Sequence, residues 1–150
     1  MTNILEKIIQ EKKESLAEIK KNNSLISLEN KIKNTNTFLD FKNTISNNKK
    51  ISLISEIKKA SPSAGILVKN FNHIDIAKLY VDNGATCLSV LTEEKNFLGQ
   101  LDYIKNIKDN FKIPILAKDF FIDPYQVCLL YTSPSPRDAH ESRMPSSSVK

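Results

Sequence analysis

The sequence predicts an α/β fold in which three short parallel strands alternate with helices, behind an N-terminal helical segment. Three observations predict it. Apolar runs of strand length, bounded by turn residues, lie at residues 51–58, 86–92 and 113–117. The stretches between them carry apolar residues at helical spacing, so successive strands need crossovers and pair in parallel. Ahead of all of this, residues 4–20 carry an amphipathic stripe with no strand before it.

The elements follow in order. Ile4, Leu5, Ile8, Ile9, Leu16 and Ile19 mark one face of a helix over 4–20, acids and lysines fill the other, and Asn22-Asn23-Ser24 ends it. A weaker helix is placed near 37–45, where Phe38, Leu39 and Phe41 are apolar, closed by Asn47-Asn48. Ile51-Ser52-Leu53-Ile54-Ser55-Glu56-Ile57-Lys58 reads as a buried strand and Ser61-Pro62-Ser63-Ala64-Gly65 as a loop. Asp75 is placed as the N-cap of a helix over 76–83, with Gly84 as its C′ residue. Residues 86–92 form the second strand, 101–110 a helix with Ile104 and Ile107 on one face, and 113–117 the third strand. Asp123-Pro124 opens one more helix, with proline in its first turn. Three strands read as a piece of a larger barrel, and 150 residues are too few for a complete (β/α)8 barrel, which takes about 250. No Gly-x-Gly-x-x-Gly is present to support a dinucleotide fold.

Composition narrows the function classes. Hydrophobic residues at 40% and charged residues at 26% are those of a globular chain. No apolar run approaches a membrane span, and the start Met1-Thr2-Asn3-Ile4-Leu5-Glu6-Lys7 lacks the layout of a signal peptide. Cys87 and Cys128 make no disulfide framework, so a cytoplasmic location is expected. A net charge of +5 invites a nucleic-acid partner. The lysines argue against one: Lys12-Lys13 is flanked by Glu11 and Glu14, and no aromatic residues interleave. The charge reads as a solvated face, with neither nucleic acid nor membrane expected as a partner.

Composition shifts after Val127. Residues 128–150 contain no Ile, Asn, Gly or Phe, and hold both arginines, Arg137 and Arg143, with three of the six prolines. The plainest reading is a disordered polar tail. A sharper one comes from the genetic code: Cys128 to Asp138 (Cys-Leu-Leu-Tyr-Thr-Ser-Pro-Ser-Pro-Arg-Asp) resembles the translation of a transposase-type sequencing-library adapter, and Ser142-Arg143-Met144-Pro145-Ser146-Ser147 resembles its next constant part. The chain is therefore divided into a partial barrel domain at 1–127 and a non-native, adapter-derived tail at 128–150.

Chemistry concentrates at strand ends. Glu56 and Lys58 stand two apart on the first strand, so they share a face with Ser52 and Ile54. They read as a buried ion pair, an exposed strand end, or the mouth of an active site. Lys118 and Asp119 follow the third strand, with Pro114, Leu116, Lys118 and Phe120 on one face. Lys118 alone reads equally as a solvated strand end; facing Lys58 across one cavity, the two ammonium groups would depress each other's pKa and draw an anionic substrate. Phe97, after the second strand in Glu93-Glu94-Lys95-Asn96-Phe97, is either core or a wall for a flat ring. His73 and His140 form no ligand pair, and neither a zinc pattern nor a nucleophile–base pair is present.

Three motifs, Ser55-Glu56-Ile57-Lys58-Lys59-Ala60-Ser61-Pro62-Ser63-Ala64-Gly65, then Leu88-Ser89-Val90-Leu91-Thr92-Glu93-Glu94-Lys95-Asn96-Phe97-Leu98-Gly99, then Pro114-Ile115-Leu116-Ala117-Lys118-Asp119-Phe120, resemble the indole-3-glycerol phosphate synthase family in content and order. The opening Ile4-Leu5-Glu6-Lys7-Ile8-Ile9 resembles that family's extra N-terminal helices, and the resemblance spans about residues 1–127. It implies the N-terminal part of a (β/α)8 TIM barrel with extra N-terminal helices and about three βα units. It implies a carboxy-lyase of tryptophan biosynthesis that closes the ring of 1-(2-carboxyphenylamino)-1-deoxyribulose 5-phosphate, with loss of carbon dioxide and water. Carried over position by position, Lys118 is the general acid that expels the substrate hydroxyl. Lys58 contacts the anionic groups and shares in acid catalysis, and Glu56 orients and balances the lysines. Ser61 and Pro62 belong to the substrate-binding set, and Pro62, Phe97 and Phe120 wall the anthranilate ring. No metal, organic cofactor or obligate protein partner is implied, only a small anionic substrate. The family's second catalytic carboxylate and its phosphate-gripping loops belong to later strands, so the chain alone is expected to be inactive, with unpaired sheet edges. Two other readings are another phosphate-binding barrel, such as phosphoribosylanthranilate isomerase, and a small basic binding module. The N-terminal helix and the Glu56-x-Lys58 pair speak against the first.

Overall fold

The computed structural model describes residues 3–33, 39–47 and 50–132. Three helices come first: α1 (Ile4–Asn22), α2 (Leu25–Lys33) and α3 (Phe41–Ser46). Then follow β1 (Ile54–Ile57), β2 (Ala60–Ser61), β3 (Gly65–Ile66), α4 (His73–Asp82), β4 (Cys87–Leu91), α5 (Asp102–Asn110), β5 (Ile115–Lys118) and α6 (Tyr125–Thr132). β1, β4 and β5 form one parallel sheet in the order β1-β4-β5, as the alternation of strand and helix predicts.

α1 starts on a capping box. Asn3 Oδ1 accepts from Leu5 N at 3.1 Å, and Glu6 Oε2 accepts from Asn3 N at 3.4 Å. α2 is a helix the sequence reading does not place. Its nine residues are short for periodicity to register, and Leu25 and Ile26 are exposed; Ser24 Oγ accepts from Ser27 N at 3.2 Å to start it, and Leu28 is its buried anchor. The helix expected near 37–45 is α3, capped by Asp40; Thr37 and Phe38 lie outside the described residues.

The strands are shorter than their apolar runs. Residues 51–53 lie outside the ladder, where Leu53 N donates to Thr86 Oγ1 at 3.0 Å and Ile51 is 97% exposed. The expected loop at 61–65 is the turn of a small antiparallel hairpin, with Ala60 opposite Ile66 and Ser61 opposite Gly65. Asp75 is not the cap of α4. The helix begins three residues earlier, with Asn72 Oδ1 accepting from Ile74 N (3.0 Å) and Asp75 N (3.4 Å), and Asp75 sits in the first turn, where its charge meets the helix dipole. Gly84 ends α4 at φ +86°, the left-handed conformation expected of a C′ glycine.

Two cores hold these elements. Ile57, Leu88 and Val90, from one face of the sheet, pack with Ala77 of α4, Tyr103 and Ile107 of α5, and Ile113. A second cluster joins Leu16 of α1, Leu28 of α2 and Tyr125 of α6, with Ile19, Ile122, Cys128 and Leu129 against it. The N-terminal helices thus dock on the helix that follows β5, where Tyr125 Oη donates to Asn23 O at 2.7 Å. The compositional break after Val127 falls inside α6, which runs on to Thr132 with Cys128 and Leu129 half-buried. Residues 133–150 lie outside the described residues.

Candidate active site

The other face of the sheet presents Glu56 from β1, Ser89 from β4 and Lys118 from β5. Register sets this: Glu56 lies opposite Ser89 and Leu91 opposite Lys118. Glu56 is the hub. Lys58 Nζ donates to Glu56 Oε1 at 2.6 Å, and Lys118 Nζ donates to Glu56 Oε2. Burial pushes the Glu56 carboxyl up, but hydrogen bonds from Lys118 and Lys58, with their charges, outweigh it and hold the group below the usual carboxylate range. The two ammonium groups therefore face a shared counter-ion and not each other's bare charge. One positive charge remains in excess at the strand ends, and Lys118, with 54% of its side chain exposed, points it at the open side. This arrangement suits holding an anion and delivering a proton.

The aromatic candidates also meet. The Phe97 and Phe120 rings stand 6.2 Å apart at 45°, both half-buried. Phe97 is held by its own loop. Glu93, only 4% exposed, accepts from Lys95 N (3.2 Å), Asn96 N (2.7 Å) and Phe97 N (2.9 Å), folding the segment after β4 around one carboxylate. The same loop passes so close to the strand that a Cβ on Gly99 would collide with the Leu91 carbonyl. Ser61 and Pro62 lie on the hairpin just after Lys58. Ser61 Oγ accepts from Ala64 N at 3.2 Å, and Pro62 is exposed at the turn.

Sequence reasoning missed how this platform is tied down. Asp119 accepts from Phe120 N (2.7 Å) and Lys12 Nζ (2.6 Å) through Oδ1, and from Thr92 Oγ1 (2.9 Å) through Oδ2. Lys12 was expected on a solvated face; its side chain is only 18% exposed and Asp119's 11%. Its neighbour Glu11 accepts from Asn96 Nδ2 at 3.3 Å. The signal was absent locally because the partner is more than a hundred residues away. Among the described residues no group of three or more His, Cys, Asp or Glu side chains could hold a metal ion, and no helix is long and apolar enough to cross a membrane.

Parallel βα units with charged and aromatic groups gathered at the C-terminal strand ends define the class: an α/β scaffold that carries its site at the strand ends. A family model described as Indole-3-glycerol phosphate synthase matches residues 5–133. The chain belongs to the indole-3-glycerol phosphate synthase family. Among its relatives, the Indole-3-glycerol phosphate synthase of Desulforamulus reducens is 44% identical over 124 residues, covering 83% of this chain and 47% of the relative. That of Trichodesmium erythraeum is 43% identical over 126 residues, covering 83% and 42%. The Tryptophan biosynthesis protein TrpCF of Buchnera aphidicola is 47% identical over 126 residues, covering 84% of this chain and 27% of the relative. The chain spans just under half the length of the first two.

Proposed function

We propose that this chain supplies the first βα units and the general acid of an indole-3-glycerol phosphate synthase. The observation that carries the reading is Glu56 held between Lys58 and Lys118 at the strand ends. The substrate 1-(2-carboxyphenylamino)-1-deoxyribulose 5-phosphate is a small multiply charged anion with a flat ring. Lys58 holds its carboxylate, and Phe97, Phe120 and Pro62 wall the ring, with Ser61 beside it. A carbon–carbon bond forms between the carboxylate-bearing ring carbon and the ketose carbonyl, whose oxygen takes a proton to become a hydroxyl. Carbon dioxide then leaves with its bonding pair returned to the ring. Lys118 gives a proton to the hydroxyl, which departs as water, and the ring methylene beside the nitrogen then loses a proton to a base from the later strands, which completes the indole. Glu56 holds both lysines in place and faces the iminium-like cation that ring closure generates. The test is to supply this substrate to the full-length gene product carrying residues 1–127 and to follow the rise of indole absorbance. Turnover supports the reading; a folded, full-length protein that forms no indole-3-glycerol phosphate overturns it.

We also propose that residues 128–150 are adapter-derived, on their composition and coding pattern. Reading the unamplified locus past the Val127 codon tests this. A different continuation is expected, and the same residues encoded there contradict it.

A further inference from the structure

We propose that Lys12 is a positioning residue for the active site, acting through Asp119 on the turn that carries Lys118 and Phe120. This rests on the function proposed above. Asp119 separates the proposed acid from the aromatic wall, so any freedom at Asp119 becomes misplacement of both. Its carboxylate gathers three elements at once: Lys12 of α1, Thr92 at the end of β4, and the Phe120 backbone. Thr92 in turn donates its N–H to Lys118 O at 3.0 Å, which closes the network on the residue before Asp119. The ion pair is largely shielded, with 18% and 11% of the two side chains exposed, so solvent screening weakens it little. Without the ammonium, Asp119 keeps two neutral donors for a shielded charge. Reaching for water is then its cheapest response, and it takes the turn with it. Glu11, one residue earlier on α1, accepts from Asn96 in the Phe97 loop, so the same helix steadies both aromatic walls. α1 is thus a strap across two loops of the site, with Lys12 at its tightest point.

The experiment compares Lys12→Met and Lys12→Arg in the full-length gene product by peptide-resolved hydrogen exchange and steady-state kinetics. Lys12→Met is expected to speed exchange about tenfold in the peptide spanning 118–123, leave the α4 and α5 peptides unchanged, and lower kcat by about ten- to a hundredfold with KM moved less than about threefold. Lys12→Arg, which keeps the charge, restores most of both readouts. Unchanged exchange at 118–123 overturns the proposal, whatever the kinetics. Faster exchange throughout the protein overturns it too, because the pair would then serve overall stability. Local loosening with normal kcat overturns the positioning role. A wild-type protein without turnover refutes the functional reading, while the exchange measurement still decides the strap.

Discussion

Lys118 reaches across the width of the three-stranded sheet to donate to Glu56, a residue 62 positions earlier in the chain. β4 lies between them, and Ser89, small and buried, leaves room above it for the two longer side chains to meet. The contact is a product of parallel register: one residue of slip in either strand would turn one partner to the helix-covered face.

Glu56→Gln therefore removes the counter-ion of both lysines while keeping shape. In the full-length protein it should lower kcat on the order of a hundredfold. The acid limb of the stability profile should also change. The folded-state carboxyl sits below its ordinary value, so the folded state binds fewer protons than the unfolded one there. Its contribution is present above the ordinary carboxylate value near 4.5 and is lost as pH falls through the lower folded value. Urea unfolding of wild type and Glu56→Gln should converge as pH drops below that window; parallel profiles would contradict the ion-pair assignment.

Gly99→Ala is expected to destabilise by about 1–3 kcal/mol, since the new methyl meets backbone and not a yielding side chain. The Phe97 loop is the part that must move to accommodate it. Denaturant unfolding gives the stability change, and KM should rise more than after a substitution at exposed Lys108. Unchanged stability would contradict this close approach of Gly99 to the Leu91 and Glu93 backbone.

His73 supplies a second pH test. Its ring stacks on Tyr103 with centroids 4.4 Å apart, and Asn106 Nδ2 lies 3.2 Å from Nε2. An amide nitrogen only donates, so that bond needs a neutral imidazole. Burial lowers the ring's pKa, so its contribution to stability is full above the ordinary value near 6.5 and is lost as pH falls through the folded value. Wild type should lose stability relative to His73→Asn between pH 7 and pH 5. A constant difference over that range would contradict it.

What was legible in the sequence follows physical range. Strand and helix order came from local periodicity, and Glu56 and Lys58 were paired because strand alternation puts residues two apart on one face. Lys118 read equally as a solvated strand end, its role came only from the family resemblance, and its contact with Glu56 crosses from one strand to another 62 positions away. Phe97 was open between core and wall; its contact with Phe120 is long-range and needed coordinates. Lys12 was read as solvent-facing because a lysine among glutamates is usually that, and its pairing depends on α1 docking against α6. The start of α4 was misplaced because Asn72 and Asp75 are both competent caps at the right spacing, and only backbone geometry separates them. α2 was missed because its burial comes from tertiary contact through Leu28 and not from a periodic face.

The central claim is that Lys118 delivers the proton that expels the hydroxyl, and one measurement reaches it most directly. Lys118→Met in the full-length gene product should lower kcat for indole-3-glycerol phosphate formation by at least about a hundredfold, as loss of a positioned general acid does, in a protein whose unfolding midpoint stays close to wild type. A well-folded Lys118→Met enzyme with near-normal kcat would contradict it.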